Sequence, residues 1–157
     1  MQFFNDTFYS KLGNNSWFAL LFLLILILTK SIATTLTFAA GGIGGVFAPS
    51  LFTGANTGLF FAVLLNQFGM SLDLSNFALV GMAGLIAGVI HAPLTAIFLI
   101  AELTGGYELF MPLMIVATLS YVTVRIFVKN SVYTVQLANR GELMTHDKDK
   151  NTLLMMN

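Results

Sequence analysis

Six consecutive residues, Gly44-Gly45-Val46-Phe47-Ala48-Pro49, carry more chemical information than any other stretch of this 157-residue chain. Pro49 suits the first turn of a helix, where a missing N–H costs no hydrogen bond. A helix starting near Val46 to Pro49 presents unpaired backbone N–H groups and a positive dipole end to whatever precedes it. Glycines there remove Cβ atoms and let an ion approach the amides, the same physical logic as in phosphate-binding glycine loops. An anion fits that place. A helix terminus contributes roughly 0.3–1 kcal/mol and at most ~2, whereas stripping an ion of water costs tens. Any anion site must therefore be composite. Close packing of helices through small residues is the competing reading of these glycines, and for Gly54 and Gly58, four apart, it is the preferred one.

Few other residues offer chemistry. Tyr133, in Asn130-Ser131-Val132-Tyr133-Thr134, is a phenolic donor just after the last apolar run, and on physics alone it is equally an interfacial tyrosine. Lys30 lies in the middle of an apolar segment, so it either snorkels or faces protein, ion or water. Enzyme readings find no footing: Glu102 and Glu108 flank Gly105-Gly106 without a nearby histidine, and His91 and His146 lack ligand spacing. There is no phosphate-binding loop. The chain has no cysteine, which removes disulfides and thiolate metal sites together.

The elements that must hold these residues are membrane helices. The chain is 57% hydrophobic and 9% charged, against about 25% charged residues in soluble domains. Its mean hydropathy is +0.84. Seven Lys and Arg balance seven Asp and Glu, so charge points to no nucleic-acid partner. Trp17 to Ala40 is long enough to cross ~30 Å of hydrocarbon. A glycine-rich break follows, and then an apolar run to Phe68. Residues 69–76 form a polar loop in which Ser75 or Asn76 could cap the next helix. Pro93 divides Phe77 to Leu103 into two short half-helices, and the apolar run from Tyr107 to Val128 carries Pro112 in its first turns, as a kink or as a start. Half-helices survive at membrane depth only where protein or an aqueous cavity satisfies their backbone, which favours a permeation pathway over a simple anchor. Arg125, Lys129 and Arg140 put the C-terminal end in the cytoplasm by the positive-inside rule.

With these motifs on view, the chain resembles the CLC family of voltage-gated chloride channels and proton/chloride antiporters. Gly45-Val46-Phe47-Ala48-Pro49 is similar to the family's GxFxP anion-site motif. Lys30-Ser31-Ile32-Ala33-Thr34-Thr35 resembles the basic position leading into it. Gly81-Met82-Ala83-Gly84-Leu85, Ala92-Pro93-Leu94-Thr95-Ala96-Ile97 and Glu102-Leu103-Thr104 resemble the next signature, and Tyr133 falls where the family has its pore tyrosine. The similarity runs from about Trp17 to Gly141.

The resemblance implies an all-α integral membrane fold, a CLC-like bundle of spanning and broken half-helices forming the second inverted repeat only. Residues 1–16 would be a polar lead-in, 17–141 the C-terminal half of the transmembrane domain, and 142–157 a cytoplasmic tail. The amides of Val46 and Phe47 and the hydroxyl of Tyr133 would bind the anion, with Gly44, Gly45, Ala48 and Pro49 forming the site loop and Lys30 a basic residue near the pathway. The implied function is transport of chloride or a similar monovalent anion across a cell membrane, with no cofactor. Implied partners are the lipid bilayer, an N-terminal half of the transmembrane domain, a second copy in a homodimer, and C-terminal CBS domains. The family's serine (GSGxP) and gating glutamate (GxEGP) motifs have no counterpart here, so these residues are expected to form half of a pathway and not to conduct alone. The alternative is a non-conducting fragment that only packs against membrane partners.

Overall fold

The computed structural model describes residues 16–42, 44–105, 107–128 and 130–135. Almost all of the expected lead-in, and all of the tail, lie outside the described residues, as do Lys129, Arg140 and His146. Five helices follow one another: α1 (Ser16–Ala39), α2 (Phe47–Gln67), α3 (Leu74–Ile90), α4 (Pro93–Thr104) and α5 (Phe110–Phe127). No strand occurs among the described residues. Three stretches, Trp17–Ala39, Phe47–Gln67 and Phe110–Phe127, are long and apolar enough to cross a membrane. At ~1.5 Å per residue, the 17 residues of α3 reach ~26 Å and the 12 of α4 ~18 Å, so neither matches ~30 Å of hydrocarbon. The split expected at Pro93 is present: α3 ends on His91 in the left-handed conformation (φ 61°), and Pro93 opens α4.

Each helix end has a local cause. α1 stops in a glycine cap: Gly41 has φ +79° and its N–H donates to Phe38 O, while the Gly42 N–H reaches back to Thr37 O at 2.9 Å. The polar second half of α1 is tolerable in lipid because its hydroxyls are satisfied within the helix. Ser31, Thr34, Thr35 and Thr37 each donate to the carbonyl four residues earlier. Pro112 is the third residue of α5, so it starts that helix and does not kink it. The N-cap of α3 corrects the sequence expectation. It is Asp73, whose carboxylate accepts from the N–H groups of Ser75 (2.8 Å) and Asn76 (3.1 Å). Ser75 and Asn76 lie inside the first turn, and a carboxylate before it also complements the dipole. Asp73→Ala is therefore expected to cost about 1 kcal/mol, read as a lower thermal unfolding midpoint of the purified protein.

The helices pack through residues too small to keep them apart. A Cβ added at Gly54 would lie 2.7 Å from Gly81 O, and one at Gly58 would strike Phe77 O. On the facing side, a Cβ at Gly81 would meet the Gly54 carbonyl and the Gly58 backbone. α2 and α3 thus run antiparallel with their backbones in direct contact, which makes the packing role expected of Gly54 and Gly58 an observed one. α3 and α5 run parallel: Gly84 faces Val116, Gly88 faces Ser120 and Val124, and Ser120 Oγ donates to Gly84 O at 2.6 Å. α4 closes the group, with Ile97 and Ile100 buried against Ala83, Ile86 and Ala87 of α3 and Leu113 and Ala117 of α5. α1 lies outside, joined to α2 by Leu20 and Leu23 against Val63.

Candidate functional site

The Val46–Phe47 junction is where the sequence placed its anion site, and a helix does begin there. Val46 is the N-cap, with no side chain capping it, and the first backbone bond of α2 runs from the Ser50 N–H to Val46 O at 3.1 Å. Helix geometry leaves the Phe47 and Ala48 N–H groups without an intrahelical acceptor, and Pro49 has none to offer. Ser50 Oγ also donates to Val46 O, at 2.8 Å, so this hydroxyl is turned into the helix. Upstream, a Cβ at Gly45 would meet nothing within 4 Å, and one at Gly44 only the Phe38 ring at 3.9 Å. Within this chain the approach to the amides is open. Phe47 packs on the main core, which anchors the helix start, while Gly44, Gly45 and Ala48 are exposed.

The antiparallel register sets what lies beside that start. Gly54 opposite Gly81, and Gly58 opposite Phe77 and Ala78, put Phe47 level with the last turn of α3. α5, parallel to α3, ends at the same level. The segment after α5 then turns back onto α3, where the Val132 N–H faces Val89 O at 3.5 Å. Tyr133 therefore stands at the same end of the bundle as Val46 and Phe47, although Phe47 and Tyr133 are 86 positions apart in sequence. Its ring is half exposed.

Lys30 is placed differently. Its Nζ sits 5.3 Å from the centroid of the Phe52 ring on α2, about one and a half turns into the bundle from Phe47. The charge thus rests on an aromatic face within the helix pair, a partner that sequence spacing does not reveal.

Two features at this end were not among the sequence candidates. One is an aromatic and cationic group: His91 meets Tyr121 edge to face at 5.8 Å, and Arg125 Nη1 donates to the Tyr121 hydroxyl at 2.7 Å. The other is Ser131, buried and hydrogen-bonded within the turn that carries Tyr133. A serine two residues before that tyrosine, ahead of a helical turn, was the available signal.

Comparison with known proteins gives a consistent account. The chain matches the voltage gated chloride channel family over residues 2–125. A ClcB-like protein of Ralstonia nicotianae, named as a candidate chloride channel, is 36% identical over 123 residues, covering 76% of this chain and 29% of its own length. The H(+)/Cl(-) exchange transporters ClcA of Salmonella arizonae and Salmonella typhi are each 41% identical over 107 residues, covering 66% of this chain and 22% of theirs. The chain thus spans less than a third of the length of these relatives. No solved structure matches it. A family match over residues 2–125 of 157, with three helices apolar enough to cross a bilayer, identifies an integral membrane protein that belongs to the voltage gated chloride channel family.

Proposed function

We propose that this chain forms the C-terminal half of a pathway for chloride or a similar monovalent anion. The observation that carries the reading is the uncapped start of α2, whose free amides open onto Gly44 and Gly45 and share one end of the bundle with Tyr133. The amides of Val46 and Phe47 and the Tyr133 hydroxyl are then the anion's donors, and Lys30 adds positive potential from its seat on Phe52. Because the terminus contributes at most ~2 kcal/mol, the remaining donors come from the N-terminal half of the transmembrane domain. Arg125 in the last turn of α5 supports a cytoplasmic orientation for this end by the positive-inside rule. The exposed apolar residues of α4 and α5, among them Leu94, Phe98, Ile115 and Leu119, supply a face for a second copy.

The test is anion flux from liposomes holding the complete protein, with a proton electrode alongside. Gly45→Val is a suitable variant because a Cβ there meets no other part of this chain within 4 Å, while the side chain occupies the approach to the amides. Chloride flux at limiting concentration is expected to fall about fivefold, the loss of ~1 kcal/mol at a helix terminus, with folding unchanged. Wild-type flux in this variant would favour the packing-fragment alternative. Coupled proton movement would identify an antiporter and chloride movement alone a channel.

A further inference from the structure

We infer that Ser131 is a positioning residue for Tyr133: it caps the turn that carries the tyrosine and so sets where the phenol hydroxyl stands relative to the α2 amides. The inference rests on the anion-site reading above and adds to it the residue that fixes its geometry. Ser131 O accepts the Val135 N–H at 2.9 Å, the first bond of a helical turn, and Ser131 Oγ faces the Thr134 N–H at 3.4 Å and the Thr134 hydroxyl at 3.2 Å. These are the bonds of an N-cap serine, whose carbonyl opens the helix while its hydroxyl takes a donor of the first turn. Tyr133 is the second residue after that cap, so its backbone direction follows from the capped geometry. Ser131 is the buried member of the turn at 9% exposure, whereas Val132, Tyr133, Thr134 and Val135 are exposed.

The turn is also fastened from outside, by the Val132 N–H facing Val89 O on the last turn of α3. That turn of α3 is level with Phe47 through the glycine contact of α2 and α3. A continuous path of backbone contacts thus links the amide half of the site to the phenol half, and Ser131 is the side chain at its final joint. Without the Ser131 hydroxyl, the Thr134 N–H keeps its bond to Ser131 O at 3.0 Å but loses the Oγ contact, and the Thr134 hydroxyl loses its Oγ partner, so the turn that carries Tyr133 is held less firmly.

The experiment measures chloride affinity by calorimetry and maximal flux in liposomes for the complete protein. Ser131→Ala is expected to weaken chloride binding about fivefold while maximal flux at saturating chloride changes less than about twofold. Ser131→Cys, similar in volume but a poor acceptor, should give the same loss and provides the reading if the alanine variant fails to assemble. Ser131→Thr, which keeps the cap, should return affinity to within about twofold of wild type. In a Tyr133→Ala background, Ser131→Ala should weaken binding no further, because a residue that acts through Tyr133 has nothing left to position. Equal loss in both backgrounds, or unchanged affinity in Ser131→Ala and Ser131→Cys, overturns the inference while leaving the site reading intact. Wild-type affinity in Tyr133→Ala overturns the site reading itself and this inference with it.

Discussion

Complete protein carrying Gly58→Leu is expected to be recovered aggregated or not at all, whereas Gly45→Ala is expected to elute as wild type. At Gly58 even a first side-chain carbon would strike the Phe77 carbonyl and lie 2.8 Å from Phe77 C and 3.0 Å from Ala78 Cα. These are backbone atoms of a helix and cannot rotate away as a flexible side chain could. α2 and α3 must therefore separate along their length, which breaks the facing contact at Gly54 and Gly81 as well. Overpacking of a tight interior costs about 1–3 kcal/mol, and a leucine against fixed backbone belongs at or above the upper end. The measurement is the monodisperse fraction and thermal midpoint in detergent. A wild-type midpoint for Gly58→Leu would mean that α2 and α3 are not in backbone contact.

Tyr133→Ala is expected to weaken chloride binding about tenfold to a hundredfold. A hydrogen bond to a charged group is worth about 1.5–3 kcal/mol net, and each ~1.4 kcal/mol is a factor of ten. Because the ring is half exposed, its removal leaves little cavity, so stability should hold while affinity falls. Calorimetric titration with chloride against Tyr133→Phe separates the two parts of the side chain. If the hydroxyl is the donor, phenylalanine is about as damaging as alanine. If phenylalanine binds as wild type, the ring is a wall of the pathway and not a ligand.

Much of this architecture was legible in the residues because glycine and proline act locally. The break at Gly41 to Pro49 and the split at Pro93 follow from dihedral preference and a missing N–H, and both appear where those residues stand. The start of α2 at Phe47 is legible for the same reason. The cap of α3 is not legible in the sequence because Asp73, Ser75 and Asn76 all have capping side chains, and only the backbone path selects Asp73. Lys30 could be recognised as an anomaly in an apolar helix, but its partner Phe52 depends on how α1 crosses α2, which spacing does not encode. Tyr133 and Phe47 share one end of the bundle only through the register of α2, α3 and α5. Helix register is set by glycines on different segments meeting in space, so sequence identified Gly54 and Gly58 without naming Gly81 as their counterpart.

The short α4 governs how such a chain enters a bilayer during synthesis. A segment of ~18 Å cannot be released into lipid as an independent stop, because its terminal peptide groups would be stranded in hydrocarbon. It has to remain sheltered by the insertion machinery until α5 emerges, since Leu113 and Ala117 complete the cover over Ile97 and Ile100. The left-handed turn at His91 keeps α3 and α4 folded back on each other meanwhile, so the two can partition as one hairpin. The broken-helix pair thus becomes membrane-competent only once α5 has emerged as far as Ala117.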